Sequence, residues 1–171
     1  MINIKDVPYL LTLDGTPIKA LNNREHLEIE HVDDVSSIMT LTLDLNESII
    51  SEQQIIYRDN RYIVSEIEEI KSDRNTIITA EINYLELADV NISINEIDAV
   101  LQALATKLLK DTGWTVGRVD DTQTKHNITQ NDVSVLSVLR LMARISETKL
   151  VFDTINKTVN YIEVDSNNLG F

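Results

Sequence analysis

The hydrophobic pattern of the sequence changes its period near Asp89, and this change restricts the fold more than any other feature. Before Asp89, apolar and polar residues alternate in short segments, as in strands with one buried face. After Asp89, apolar residues recur every three or four positions, as in amphipathic helices. We therefore predict an α+β fold with a β-rich domain over residues 1–89 and a smaller α/β domain over residues 90–171.

The first part reads as a series of antiparallel strands joined by short turns. The segments "EHLEIEHV" and "SIMTLTLDL" alternate; in the first, Leu27 and Ile29 face away from Glu28. Asp14-Gly15 and Asp59-Asn60 have the chemistry of hairpin turns, and "KSDRN" separates two further strands. The segments "QQIIYRDNRYIVSEIEEI" and "TIITAEINYLEL" are predicted to form a meander of consecutive antiparallel strands.

The second part contains two predicted helices. Ser93 and Glu96 have the spacing of a capping box, and Gly113 is suited to end the helix in a left-handed conformation. The apolar stripe of this helix is predicted to consist of Ile97, Val100, Leu101, Leu104 and Leu108.

A second helix is predicted to begin after Asn131 or Asp132, either of which could cap it. Its apolar face would consist of Val135, Val138, Leu139, Met142 and Ile145. The segment "KLVFDTINKTVNYIEV" then predicts a hairpin that turns at residues 154–157, with Phe152 and Tyr161 packed across it.

The segment "KLLKDTGWTVGRVDD" holds the only tryptophan, Trp114, and is the strongest candidate for a binding site. Trp114 follows the predicted helix, where a large ring would pack into the core; stacking on a ligand is the alternative. Gly117 is expected to mark a bulge or a close approach of the backbone. The segment lacks the Lys-Ser or Lys-Thr of a phosphate loop and the spacing of a calcium loop, so its aspartates Asp111, Asp120 and Asp121 are interpreted as solvated turn residues.

The composition excludes several classes of function. The net charge of −13 opposes nucleic-acid binding, and no basic stripe compensates for it. The absence of cysteine excludes disulfides and thiolate chemistry. The start of the chain has no signal-peptide pattern, and no window reaches the roughly 18 apolar residues of a membrane span.

No catalytic, cofactor-binding or metal-binding residue is predicted. His26 and His31 would point to opposite faces of a strand, and His126 lies far away in the sequence, so a shared metal site is not expected. No serine lies in a Gly-x-Ser-x-Gly elbow. The acidic pairs Glu68-Glu69 and Asp120-Asp121 have no partner at a known separation. The sequence therefore predicts a non-enzyme without cofactors.

The order of these segments resembles the N-terminal region of the prophage tail endopeptidase family, the tail-associated or minor structural proteins of long-tailed phages of Gram-positive bacteria. The resemblance covers most of the chain, from "RYIVSEIEE" and "TIITAEINYLEL" to the closing hairpin. It is most specific at Gly113–Gly117 and Leu150–Asp153. It implies a barrel-like first domain and a fold similar to phage baseplate hub proteins and the hub part of type VI secretion spikes.

The resemblance also implies a function at the tip of the virion tail, after synthesis in the host cytoplasm. The resemblance implies homotrimers that close the tail tube, bind the distal tail protein and hold lytic or fibre-like segments, with the tape-measure protein as a further candidate partner. The peptidase activity of the family belongs to segments that continue beyond "DSNNLGF", so it is not carried over to this chain.

Two further hypotheses concern charge and host contact. Carboxylates such as Glu66, Glu68 and Glu69 could line the DNA passage of a trimer and repel the nucleic acid, or they could serve solubility alone. The alternative functions are a carbohydrate-binding receptor module, which would need exposed aromatic side chains, and a peptidoglycan hydrolase, which would need a convergent acid-base or metal site.

Overall fold

The computed structural model describes residues 7–22, 24–32, 36–44, 48–121 and 123–164 of the 171-residue chain. The chain forms two compact units, residues 1–83 and residues 84–171. The fold is mostly β with few helices, and its larger sheet is antiparallel and curls into a half-barrel. No helix in the described ranges is both long and apolar enough to cross a membrane.

Seven antiparallel strands form the sheet of the first unit, in the order β2-β1-β5-β6-β7-β4-β3. Their bounds are β1 Tyr9–Leu11, β2 Pro17–Ala20, β3 Arg24–Val32, β4 Ser36–Asp44, β5 Gln54–Tyr57, β6 Asn60–Ile70 and β7 Asn75–Ile82. Alternation along β4 buries Met39, Leu41 and Leu43 on one face, while Thr40 and Thr42 lie half-buried on the other. The prediction of an antiparallel β-rich first part is confirmed.

The turns follow the predicted chemistry with one shift. Gly15 adopts a φ of 86° between β1 and β2, as the Asp14-Gly15 signal predicts. The loop between β5 and β6 consists of Arg58 and Asp59, both with positive φ, rather than Asp59 and Asn60. Two consecutive left-handed residues match the twist of the flanking strands. The register of β5 and β6, which ends at the pair Tyr57 and Asn60 and buries Tyr57 and Tyr62, places the turn at residues 58 and 59.

Five exposed glutamates gather on the outer face of this sheet. Glu28, Thr40, Thr79 and Glu66 lie side by side across β3, β4, β7 and β6. Glu68 lies in the next row, opposite Ile77. Glu30 and Glu81 flank Ile38 in a third row. We call Glu28, Glu30, Glu66, Glu68 and Glu81 the acidic face; Glu69 points to the opposite side of β6 and does not belong to it.

The second unit combines two sheets with two helices. Its elements are a 3₁₀ helix Asn83–Ala88 that starts at the unit boundary, β8 Asn91–Val100, α1 Leu101–Leu108, β9 Thr115–Val119, β10 Lys125–Ser134, α2 Val135–Ile145, β11 Thr148–Asp153 and β12 Thr158–Glu163. Strands β8 and β10 form a two-stranded antiparallel ribbon. In the other sheet β12 lies between β11 and β9, antiparallel to the first and parallel to the second.

The predicted capping box of the first helix is wrong. Ser93 and Glu96 lie in strand β8, and α1 begins at Leu101 after Val100, which provides no side-chain cap. The Ser93 hydroxyl accepts a hydrogen bond from the Asp132 amide of β10 instead, at 3.1 Å. Ile97, assigned to the apolar stripe, is 72% exposed. Pairing with a strand distant in the sequence outweighs the local helical signal. Leu101, Leu104 and Leu108 are buried as predicted.

The start of the second helix also differs from the prediction. Asn131 and Asp132 lie in β10, and the N-cap of α2 is Ser134, whose hydroxyl accepts a hydrogen bond from the Ser137 amide at 3.2 Å. The predicted apolar face is buried except for Ile145, which is 40% exposed.

The closing hairpin β11–β12 is confirmed, and its predicted aromatic residues Phe152 and Tyr161 lie diagonally on the same face. Phe152 is opposite Val159, and Tyr161 is opposite Leu150. The hydroxyl of Tyr161 donates a hydrogen bond to the Leu139 carbonyl at 3.3 Å. Because Phe152 and Tyr161 occupy different rows of the hairpin, they do not form a directly opposite pair.

The second unit contains an internal repeat. Residues 91–119 and residues 125–153 both run strand, helix, strand, with an offset of 34 residues from Asn91 to Lys125. The strands β8 and β10 have the same burial pattern, position by position. Each strand has an aspartate in the left-handed conformation at the same place, Asp98 with φ 54° and Asp132 with φ 50°.

The two repeats are related by an approximate two-fold axis through the ribbon. Lys125 is opposite Val100 at one end, and the equivalent pair, Ser134 and Asn91, closes the other end. The hydrogen bonds follow the same axis: the Asp98 amide donates to Asn127 Oδ1 at 2.9 Å, as the Asp132 amide donates to Ser93. Side chains thus bridge the strands at both bulges, and they support a ribbon to which no other described strand adds.

Candidate functional site

The indole of Trp114 lies in the core of the second unit. Trp114 is 3% exposed, and its Nε1–H donates a hydrogen bond to the Glu86 carboxylate. The Lys157 ammonium donates to the same carboxylate at 2.7 Å and lies 5.9 Å from the centre of the indole ring. The Glu86 carboxylate therefore accepts hydrogen bonds from both the buried indole N–H of Trp114 and the ammonium group of Lys157.

Aromatic rings complete this cluster. Phe152 meets the Trp114 ring edge to face at 5.8 Å between centroids. On its other side Phe152 stacks on Tyr84 at 4.3 Å and 17° between planes. These contacts join the 3₁₀ helix, the segment after α1 and the closing hairpin. The interpretation of Trp114 as a core residue is confirmed, and no side of its ring is left for stacking on a ligand.

The two glycines beside Trp114 also have structural roles. Gly113 has a φ of 80° and reverses the chain after α1, although the helix itself ends at Leu108, earlier than predicted. A Cβ at Gly117 would collide with the side chain of Asn160 on the neighbouring strand. The predicted close approach of the backbone at Gly117 is therefore confirmed.

Two of the three nearby aspartates are not simple solvated residues. Asp120 accepts hydrogen bonds from the Arg118 guanidinium at 2.6 Å and from the Glu163 amide at 2.9 Å. The Arg118 hydrogen bond holds the pKa of Asp120 below its usual range. Burial acts to raise the pKa of Asp121, but hydrogen bonds from Thr124 and His126 outweigh it and lower the pKa. Both carboxylates shape the loop between β9 and β10, whereas Asp111 is exposed as predicted.

These aspartates line an open hollow of the second unit, with a volume of about 410 Å³. Its charged walls are Asp120, Asp121, Glu147 and Glu163. The His126 ring contributes to the wall and lies 3.2 Å from Asp121. No lysine or arginine lines it within the described ranges. We call this cavity the acidic hollow.

The remaining candidates do not converge on a site. His26 lies beside Glu28 on the outer face of β3, in the other unit from His126, and the side chain of His31 is outside the described part of the chain. Glu68 and Glu69 point to opposite sides of β6. Within the described residues no three His, Asp or Glu side chains are close enough to hold a metal ion.

Comparison with known proteins identifies the fold. The chain matches no family model, and no curated protein matches its sequence. Its structure is similar to the prophage tail protein gp18 from Listeria monocytogenes EGD-e, with a TM-score of 0.73 and 11% identity over 92% of this chain and 50% of that one. It is equally similar to the tail protein from Neisseria meningitidis MC58, with a TM-score of 0.73 and 11% identity over 95% of this chain and 52% of that one. The chain thus has the fold of about half of each tail protein.

Proposed function

We propose that this chain is a structural component of a phage or prophage tail tip, the hub part of a tail-associated protein. In this function it forms homotrimers that close the tail tube. It binds the distal tail protein on one side and carries receptor-binding or lytic segments on the other. The observation that carries the proposal is the fold, which two tail proteins share over more than nine tenths of this chain.

The second unit supports a structural rather than a catalytic function. The residues that sequence reasoning singled out, around Trp114, are engaged in packing and in one shared carboxylate. The paired aspartates accept hydrogen bonds that hold their loop and keep them ionised, which does not suit a general acid.

Gold-labelled antibodies against this chain, applied to virions of the phage or prophage that encodes it, test its location. We expect label at the end of the tail opposite the capsid. Light scattering of the chain mixed with the distal tail protein tests the partner, and the expected product contains three copies of this chain. Label on the capsid or the tail shaft, or two proteins that remain separate at micromolar concentration, would contradict the proposal.

The acidic face supports a finer proposal about the tail passage. Five exposed carboxylates with no lysine or arginine in their rows repel a polyanion at short range. If this face lines the passage, Glu68→Lys should slow DNA ejection while tails assemble normally. Glu69→Lys is the matched control, because it makes the same charge change on the opposite side of β6. Equal ejection rates in the two variants would refute the proposal.

The carbohydrate-binding alternative loses support from the burial of the aromatic residues. Trp114 and four of the tyrosines are buried, and Tyr9 and Phe152 are half-buried. None of the aromatic side chains in the described residues forms an exposed platform for a sugar ring. A hydrolase would need a convergent site of the kind that the described acidic pairs do not form.

A further inference from the structure

An apolar pocket with a volume of about 330 Å³ lies at one edge of the sheet in the first unit. Tyr9 is opposite Ile56 and Leu11 is opposite Pro17, so these four side chains share one face of β1, β2 and β5. Among the described strands β2 is the outermost at this end of the sheet, which leaves the pocket open to a neighbouring molecule. We call it the edge pocket; its apolar and aromatic walls are Val7, Tyr9, Leu11, Pro17, Ile56 and Tyr57.

Two charged residues complete the wall of the edge pocket, Arg58 and Asp59 of the turn between β5 and β6. The Arg58 guanidinium lies 5.1 Å from the centre of the Tyr57 ring, and this contact holds the cation at the aromatic side of the pocket. Arg58 is the only cation that lines the pocket within the described residues. The edge pocket therefore suits a branched apolar side chain that has a carboxylate close to it in the sequence.

The turn before β5 presents such a side chain on a fixed backbone. Ile50 is 58% exposed, and the carboxylate of Glu52 follows it two residues later. The Ile50 amide donates to Gln53 Oε1 at 2.9 Å, and the Glu52 amide donates to the Val64 carbonyl at 2.9 Å. The Val64 amide in turn donates to the Gln53 carbonyl at 2.8 Å. Because these bonds tie the turn to β6, docking of Ile50 would cost little ordering of the backbone.

We propose that Ile50 of one copy of this chain docks into the edge pocket of a second copy. Docking removes an exposed apolar side chain from water and brings the Glu52 carboxylate to the Arg58 guanidinium. Ile50 does not line the pocket of its own copy. It precedes β5 and Arg58 follows β5, so the docking residue and the rim of the pocket lie at opposite ends of one strand. A contact between two different parts of the same chain is head-to-tail, and contacts of this kind build rings.

The proposed contact rests on the proposed function, because it is a contact between copies of the homotrimer. The two nevertheless fail separately. Antibody labelling of virions reports the location of the chain in the tail, whereas self-association of the isolated chain reports the contact.

Sedimentation of the isolated chain at concentrations up to about 1 mM measures self-association. We expect a Kd on the order of 0.1 to 1 mM, since one docked side chain buries less area than a stable interface. Ile50→Asp removes the docking side chain, and Pro17→Glu places a carboxylate in the pocket at an exposed position. Each variant alone should stay monomeric. An equal mixture of the two should form a heterodimer that grows no further, because it contains one intact Ile50 and one intact pocket that can meet.

An exchange of charges tests the rim of the pocket. Arg58→Glu and Glu52→Arg should each weaken self-association about threefold to tenfold, and a chain with both changes should recover it to within about twofold. Both positions already hold a non-glycine residue at positive φ, so the exchange leaves the backbone requirement unchanged. Ile97→Asp is the matched control for Ile50→Asp, because it makes the same change at an exposed isoleucine of the second unit; its self-association should equal that of the wild type.

Four results would overturn the proposal: a wild-type chain that stays monomeric, an Ile50→Asp variant that associates as the wild type does, a mixture without heterodimer, or an equal loss of association in Ile97→Asp. The last result would show general association of exposed apolar side chains. Circular dichroism checks that each variant is folded. If Pro17→Glu does not fold, Arg58→Glu takes its place in the mixture, and the absence of a heterodimer has the same consequence.

Discussion

Removal of the Trp114 indole should destabilise the second unit more than any other single truncation in it. A buried tryptophan covers roughly 150 to 250 Å² of apolar surface, and truncation of such a residue to alanine typically costs about 3–5 kcal/mol. Trp114 is 3% exposed and also contacts Phe152 and Glu86, which places Trp114→Ala at about 4 kcal/mol. This loss is a large part of the stability of an ordinary domain, about 5–15 kcal/mol.

The variant Trp114→Phe measures the contribution of the indole N–H group to stability separately from that of the aromatic ring. Phenylalanine keeps most of the aromatic packing and loses the donor to Glu86. Because the Glu86 side chain is 33% exposed and still holds Lys157, water can replace the lost donor. We expect a cost of about 1–2 kcal/mol, which includes a small packing defect.

Urea unfolding followed by the helical circular dichroism signal measures both effects. Among the described residues the α-helices lie in the second unit, so this signal reports on that unit. Ile97→Ala is the control; its side chain is 72% exposed, and the change should stay within about 0.5 kcal/mol. A cost below about 1 kcal/mol for Trp114→Ala, equal to that of the control, would refute the assignment of Trp114 to the core.

Three further predictions concern single positions in the second unit. Asp98, with a φ of 54°, should tolerate Asp98→Gly within about 0.5 kcal/mol in a thermal melt, whereas Asp98→Val should cost about 1–2 kcal/mol, and equal costs would contradict the left-handed bulge. Gly117→Ala should cost about 1–3 kcal/mol by urea unfolding because its Cβ meets Asn160, and an unchanged midpoint would contradict this contact. The hydrogen bond from Arg118 lowers the pKa of Asp120 below 3.8, so this ion pair stabilises the fold above that pH, and its contribution is lost as the pH falls through the lowered pKa. The urea midpoints of the wild type and of Asp120→Asn should therefore differ at neutral pH and converge in acid. A difference between the two midpoints that does not change with pH would exclude the ion pair.

The first unit could be predicted from the sequence because its signals are local. Alternation identifies β3 and β4, and the Asp14-Gly15 pair identifies the turn between β1 and β2. Strands β5, β6 and β7 form the predicted meander, and β6 pairs on both sides with strands joined to it by short turns, so the pattern of a short segment contains most of the information. The order of all seven strands, with β4 beside β7, depends on contacts between distant segments and was not predicted.

The ribbon of the second unit could not be predicted in the same way. The paired residues of its two strands are 25 to 43 positions apart in the sequence, from Lys125 with Val100 to Ser134 with Asn91, and a capping-box pattern within β8 favours a helix. The similar triplets Asn91-Ile92-Ser93 and Asn127-Ile128-Thr129 do not reveal the ribbon, because they are 36 positions apart and are neither paired nor equivalent in the repeat. At the equivalent positions of β8 and β10 the same residue occurs only twice, as Ile94 with Ile128 and as Asp98 with Asp132. Because the two strands share so few residues, neither the repeat nor the acidic hollow could be predicted from the sequence.

The position of β12 has a consequence for synthesis of the chain on the ribosome. Among the described strands, β9 pairs with β12 alone, although about forty residues, including the whole second repeat, are translated between them. A nascent chain whose residues 158–163 have not yet left the ribosome therefore has β9 without this strand partner, and an unpaired strand edge is prone to pair with other chains. The last described strand to leave the ribosome, β12, is therefore the one that joins β9, the strand after Trp114, to β11.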